Sequence, residues 1–255
     1  MGVFTQHTPM QEQPDTSAPP SPPYQPVVLS ILHRRACREI LDAPCGFGWL
    51  GQTFKGQATD SIHIDGVGMW EFPSRYSGYR DVREHDLDHP LPAMGPSYDA
   101  VVCGEALHLL CNPGVALESF RKQLRPGGTL IVTTPNTWYM RSRLQYLLRG
   151  FHSGFAPAVG KRRGEYIPFI PWSFTQLHLM LSRYGYTDIT LHDVDEPKPK
   201  RMVEYALAVP GLMYIRRKKQ RAGCDEERRY WEQAGSRQSM YGRWLVVSAR
   251  APAES

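Results

Sequence analysis

No apolar run in this chain approaches the ~20 residues of a membrane-spanning helix. No charged start followed by an apolar core opens it, so a secretion signal is not read and a cytoplasmic protein is expected. The first six residues, Met-Gly-Val-Phe-Thr-Gln, approach a myristoylation signal but place Gln6 where Ser or Thr is required. Cysteine is scarce and odd in number: five residues, at 37, 45, 103, 111 and 224, with no C-x-x-C pair. That excludes a disulfide framework and a zinc knuckle. Acid is locally missing. Residues 141–163 carry six Lys or Arg and no Asp or Glu, and residues 198–229 carry ten against four. The net charge of the whole chain is only +5, so the remainder is acidic. The two basic stretches read either as solvated helix faces or as a site for an anionic substrate or membrane surface.

What is present is an alternation of strand and helix. Residues 1–26 hold seven of the 22 prolines, separated by Gln, Ser and Thr. They cannot bury enough surface to offset their ordering entropy and read as a disordered tail. Residues 27–255 read as one domain. Residues 27–36 suit a leading helix. Residues 40–43, 62–64 (ending in Asp65), 79–83, 98–103 and 130–132 suit five strands, and a helix opens at Gly48. Asn112-Pro113 starts another helix, whose Leu117, Phe120 and Leu124 share one face. Arg125-Pro126-Gly127-Gly128 stops it. Ser173 caps a helix with Leu177 and Leu181 inward and Gly185 at its end. Residues 187–191 and 244–249 close the sheet. The pattern predicts an α/β fold with a mostly parallel sheet, an antiparallel last strand and helices on both faces. Two insertions interrupt it. In 137–172, Met140, Leu144, Leu147 and Leu148 define an amphipathic helix. In 194–242, a helical pattern is broken by Pro210-Gly211.

The run Ile40-Leu41-Asp42-Ala43-Pro44-Cys45-Gly46-Phe47-Gly48-Trp49-Leu50-Gly51 carries the chemistry. A short apolar strand ends in a carboxylate and breaks into a glycine-rich turn, as a parallel strand does before a nucleotide-binding helix. Gly46, Gly48 and Gly51 match the G-x-G-x-x-G of dinucleotide sites. A pyrophosphate, however, wants helix N–H groups and no adjacent anion. Asp42 suits instead the cationic amino-acid end of S-adenosylmethionine, with its α-ammonium and sulfonium. Asp65, 23 residues further on, could accept hydrogen bonds from ribose hydroxyls under either reading. It could equally be a turn acid before Gly66.

The order downstream narrows the choice. Asp86-Leu87-Asp88 comes first, then Tyr98-Asp99-Ala100-Val101-Val102-Cys103-Gly104-Glu105. Arg125-Pro126-Gly127-Gly128 and Thr134-Pro135-Asn136 follow. This succession resembles the class I S-adenosylmethionine-dependent methyltransferases, in the branch with the ubiquinone-pathway O-methyltransferases and MetW-like proteins. It runs over residues 38–191 and resumes at 243–249. The resemblance implies a Rossmann-like class I methyltransferase sheet and S-adenosyl-L-methionine as cofactor. It implies that Asp42 and the turn of Pro44, Cys45, Gly46, Phe47 and Gly48 hold the methionine end. Asp65 and Gly66 would serve the ribose, and Asp86 and Leu87 would flank the adenine. Cys103, Gly104 and Glu105 would line the cofactor and face the substrate. Gly51 becomes incidental to its helix. The family's Glu-His pair beyond the fourth strand reads His108-Leu109 here, displaced by one.

Methyl transfer from a sulfonium is an in-line displacement with a good leaving group, so alignment and a dry pocket do most of the work. A base is needed only for a hydroxyl of high pKa. His108 is the first candidate for that catalytic role and His152 the second, each also readable as an ordinary polar residue. Tyr139 and Tyr166 could shape the pocket or simply pack. The expected function is methyl transfer to a small-molecule acceptor at oxygen. The alternative is a cofactor-binding partner protein of MetW type without turnover. The acceptor side falls to the two insertions, where Arg141, Arg143, Arg149, Lys161, Arg162 and Arg163 place cations among aromatics. An anionic, glycan or lipid-linked acceptor is therefore expected. Residues 203–221, apolar and then basic, read as a buried lid helix or as a peripheral membrane contact. No metal site is expected, because the side chains of Glu84-His85-Asp86-Leu87-Asp88-His89 would diverge along a loop. Cys103-Gly104-Glu105-Ala106 is not the Asn/Asp-Pro-Pro-aromatic sequence of nucleic-acid amino-methylating enzymes, which argues against a nucleic-acid substrate.

Overall fold

The computed structural model describes residues 21–55, 61–69, 78–95, 97–155, 168, 170–196 and 202–253. Tyr166, residues 161–163 and residues 1–20 of the proline-rich tail lie outside them. A seven-stranded sheet in the order β3-β2-β1-β4-β5-β7-β6 forms the centre. Its strands are β1 (Glu39–Asp42), β2 (His63–Gly68), β3 (Asp81–Glu84), β4 (Tyr98–Gly104), β5 (Leu124–Pro135), β6 (Thr187–His192) and β7 (Trp244–Arg250). The first five pair in parallel, and β7 runs antiparallel to both β5 and β6. This is the Rossmann-like sheet the alternation implied.

Strand periodicity sends successive side chains to opposite faces, so Ile40 and Leu41 enter different cores. On one face Ile40, Ile64, Val102 and Ile131 meet α1 (Gln25–Arg34) and α2 (Trp49–Lys55) through Val28, Ile31, Leu50 and Phe54. On the other, Leu41, Val101, Leu130 and Val247 meet α3 (Pro113–Gln123) and α5 (Phe174–Arg183) through Leu117, Phe120, Phe174 and Leu177. Ser173 closes a capping box with Gln176 at the start of α5, and Gly185 beyond its end takes φ +79°. A third, smaller cluster joins α4 (Met140–Arg149), α6 (Met202–Gln220) and α8 (Arg237–Tyr241), while α7 (Asp225–Ala234) contributes Ala234 to the main core.

Four expectations change. The tail does not extend to residue 26: α1 begins at Gln25, with Pro26 in the first turn, where a missing N–H costs nothing, and Tyr24 is buried. β2 does not end at Asp65 but continues through Gly66-Val67-Gly68, held by pairing to Val82, Arg83 and Glu84 of β3. Leu144, Leu147 and Leu148 of α4 are exposed; the helix buries Met140 and Ser142 instead. Finally, α6 runs unbroken through Pro210. The Ala206 carbonyl that Pro210 leaves without a donor belongs to an exposed residue, where water can satisfy it.

The strand order reverses between β1 and β4. From that pair the chain builds outward in both directions, leaving a crevice beyond the carboxyl ends of the two strands.

Candidate active site

Asp42 is the last residue of β1 and is fully buried at that crevice. The Tyr79 hydroxyl donates to its Oδ2 at 2.5 Å, while Oδ1 is buried with no hydrogen-bond partner among the described residues. Burial pushes the Asp42 carboxyl up to about 7, opposed in part by the Tyr79 bond. A half-satisfied buried carboxylate is costly unless something supplies a donor or a cation. Tyr79 reaches it because α2 presents a glycine there. A Cβ on Gly51 would lie 2.3 Å from the Tyr79 ring, and one on Gly78 would lie 2.2 Å from the Gly51 carbonyl oxygen. Gly51 is thus not incidental: it lets Tyr79 slide between helix and sheet. The sequence does not point to Tyr79, because it lies 37 residues from Asp42. The third glycine of G-x-G-x-x-G was the available signal for this close packing.

The turn after β1 is open. Gly46 and Gly48 adopt φ +50° and +74°, conformations that favour glycine, and no atom lies within 4 Å of a Cβ placed on Gly46. Phe47 stands between them, 97% exposed. Pro44 is half-buried and Cys45 buried, the latter donating its N–H to the Val67 carbonyl at 2.8 Å. Gly66 serves this packing rather than an open site, since a Cβ there would press on the Cys45 side chain at 3.1 Å.

Across the crevice, β4 ends in Cys103 and Gly104. Burial, helped by the Asp42 charge, raises the Cys103 thiol to about 12, so it is no nucleophile. Gly104 has open space where a Cβ would be. Glu105 follows in the left-handed region at φ +50°, its N–H held by the Thr133 carbonyl and hydroxyl. Its Oε2 accepts from the Tyr24 hydroxyl at 2.7 Å. Tyr24 packs edge-on against Trp244, so the segment before α1 reaches over the sheet to this end. Burial raises the Glu105 carboxyl, and the Tyr24 bond pulls it down. The crevice therefore carries two carboxylates, each held by a tyrosine from a distant part of the chain.

Asp65 does not join them. It pairs with Leu41, one residue before Asp42, and so lies on the opposite face of the sheet. Arg80 donates to both its oxygens, at 3.0 and 2.6 Å, and the Tyr98 hydroxyl donates at 2.7 Å. Arg80 also pairs with Glu39 at 3.0 Å. Glu39 and Tyr98 open their strands and Arg80 precedes its own, so the carboxylate is drawn to the amino edge, away from the crevice. Burial raises Asp65, but the Arg80 and Tyr98 bonds outweigh it and hold the carboxyl below its usual range. The geometry makes Asp65 a structural anchor and does not present it to a ribose. Asp86 is half-exposed and spends Oδ1 on the Asp88 N–H at 2.9 Å, while Leu87 is buried in the main core. Asp88 accepts from the N–H of Asn112 at 2.6 Å, tying this loop to the start of α3. Among the described residues, no three His, Cys, Asp or Glu side chains are grouped to hold a metal.

His108 is buried beyond β4, with Nδ1 3.3 Å from the Thr134 hydroxyl and its carbonyl accepting from Ile170. Burial lowers its pKa to about 4, so the ring is neutral at pH 7 and a weak base, which argues for a packing role. His152 shares a hydrogen bond with Ser142 at 3.2 Å and stacks on Tyr146, a packing arrangement. Tyr139 is buried at the start of α4. Arg143 is not a free cation for an acceptor: its guanidinium lies 3.5 Å over the Trp138 ring and donates to the Trp138 carbonyl. Asn136 ties the second insertion to β5. Its Nδ2 donates to the carbonyls of Ser239 and Gly242 at 2.9 and 2.8 Å, and Oδ1 accepts from Trp138.

The Rossmann-like fold thus places an acid and an open glycine turn at the switch point of the sheet, where α/β domains bind their ligands. Residues 41–132 match the family model described as a methyltransferase domain. A ubiquinone biosynthesis O-methyltransferase of Marinobacter nauticus is 29% identical over 125 residues, 44% of this chain and 51% of that protein. A tRNA U34 carboxymethyltransferase of a Geobacter species is 27% identical over 176 residues, 66% of this chain and 50% of that protein. The chain spans about half the length of these curated relatives. Among solved structures, an S-adenosylmethionine-dependent methyltransferase of Methanosarcina mazei superposes with a TM-score of 0.52 at 14% identity. That match covers 88% of this chain and 98% of the other.

Proposed function

We propose that this protein is an S-adenosylmethionine-dependent methyltransferase that methylates an oxygen atom of a small-molecule acceptor. One observation carries the proposal: a fully buried carboxylate oxygen of Asp42, without a partner, beside a glycine turn with room for a ligand. An ammonium donor would satisfy that oxygen and favour the charged carboxylate. S-adenosylmethionine supplies such an ammonium and, on its sulfonium, a methyl group with a good leaving group. The residues fit that group at its methionine end. Asp42 would take the ammonium, Gly46 and Gly48 would let the backbone approach, and Gly104 and Glu105 would line the opposite wall. The names of the O-methyltransferase relatives support oxygen as the acceptor atom.

Calorimetric titration with S-adenosylmethionine tests the proposal. The wild-type chain should bind and Asp42→Ala should not, with an unchanged circular-dichroism spectrum. Equal affinity for both would remove the donor assignment. Transfer of radiolabelled methyl to phenolic acceptors, and its absence with matched anilines, tests the choice of oxygen.

A further inference from the structure

We infer that α6, with α4 beside it, is a docking surface for an anionic lipid membrane. A helix apolar all round is normally buried on all sides. Apart from Glu204 in its first turn, α6 is apolar from Met202 to Ile215, yet only Ala208 is buried, with Leu212 and Ile215 partly covered in the cluster with Met140, Met240 and Tyr241. The rest stands in solvent. Met202 is 83% exposed, and Val203, Leu207 and Met213 are exposed as well. α4 packs on α6 and adds Leu147 and Leu148, 81% and 73% exposed. Folding leaves these groups in water, whereas lipid contact would bury them.

Charge selects the occupant. The C-terminal turns of α6 carry Arg216, Arg217 and Lys218, all exposed. Lys219 pairs with Glu232 at 2.6 Å, but these three form no ion pair among the described residues. α4 adds Arg141 and Arg149 and has no acid, while its Arg143 is taken up by Trp138. A second copy of the chain would bring the same exposed cations to its own seam, only Lys218 among the three being eased by the nearby Glu227 of α7. Phosphate-bearing headgroups neutralise them while the apolar turns enter the acyl boundary. Tyr205 and Tyr214, also exposed, have the amphipathic shape that favours this depth. The surface belongs to the two insertions, so it would dock the acceptor side of the molecule on the membrane. The inference needs no part of the donor assignment.

The test is co-sedimentation of the full chain with phosphatidylcholine vesicles, with and without phosphatidylglycerol. The expected result is recovery with the phosphatidylglycerol vesicles, little with phosphatidylcholine alone, and loss of binding in high salt. Replacing Arg216, Arg217 and Lys218 by Gln should weaken binding by about fivefold per cation removed. Leu207→Glu with Met213→Glu should abolish it while thermal melting and S-adenosylmethionine titration stay unchanged, so a folding or donor-site failure would be seen separately. Equal recovery with both vesicle types, or with neither, overturns the inference. So does a wild-type dimer in sedimentation velocity that the same two Glu substitutions dissociate, since the occupant is then a second copy.

Discussion

The crevice at β1 and β4 and the α4–α6 face handle exposure in opposite ways. At the crevice, polar groups are buried and nearly all matched, and the exception is one oxygen of Asp42. On the α4–α6 face, apolar groups are exposed and only a narrow stripe is covered. In each region the mismatch marks where something else is wanted: a cation in the first, an apolar and anionic surface in the second. The same contrast separates two buried acids of the sheet, Asp42 and Asp65. Asp65 has every strong donor it can use, whereas Asp42 has one. Burial is common to both, so the difference lies in what faces them.

The largest effect expected is on the unsatisfied acid. Asp42→Ala should weaken S-adenosylmethionine binding by about a hundredfold or more, read by calorimetry, because it removes one partner of a buried charge pair. It should not destabilise the unliganded protein, since the substitution also removes a costly buried carboxyl.

Asp65→Asn should do the reverse. Loss of the Arg80 pairing should cost about 2 kcal/mol in urea unfolding, less than a fully buried pair would, because Arg80 is 37% exposed. Donor affinity should be unchanged. A large loss of affinity with intact stability would return Asp65 to the cofactor site.

A smaller effect is expected at Tyr79. Tyr79→Phe should weaken donor binding by about tenfold by removing the charge-assisted bond that holds Asp42. It should also move the pH dependence. With the Asp42 carboxyl near 7, affinity should rise about tenfold per pH unit below that value and flatten above it. Without the Tyr79 bond, which favours the charged form, the break should shift to higher pH. The stability of the unliganded protein carries the opposite sign. A carboxyl raised from 3.8 to about 7 contributes stability that is fully present below pH 3.8 and is lost as pH rises through 7. Thermal melting across that window, with and without donor, reads both signs.

The smallest effect is expected on the α4–α6 face. Leu147→Ser should change unfolding stability by about 0.5 kcal/mol or less, whereas Leu177→Ala in buried α5 should cost about 3 kcal/mol. A loss at Leu147 matching that at Leu177 would show that the α4 leucines are packed in solution.

Much of the first region could be read along the chain. Asp42, the glycine turn and the strand–helix alternation are local in sequence, as is the capping box at Ser173. The two tyrosines that hold the crevice carboxylates could not be read. Tyr24 and Tyr79 lie 81 and 37 residues from their partners, and nothing near either residue encodes the meeting. Asp65 was misplaced for a different reason. An acid after a short apolar run looks like a strand end, and only pairing with β3 shows that the strand continues. On α4, periodicity located a leucine stripe but not what covers it; whether a stripe is core or surface depends on the neighbouring layer.

By itself, the sequence of this protein determined the order of its elements, the α/β class and the acid-and-glycine turn at the end of β1. Propensity, periodicity and turn chemistry act over a few residues, so these features survive reading in one dimension. The tertiary structure alone decided which buried acid is left wanting a partner and which apolar helices are left uncovered. Both follow from strand register and long-range packing, where a shift of one residue turns a side chain to the other face of the sheet.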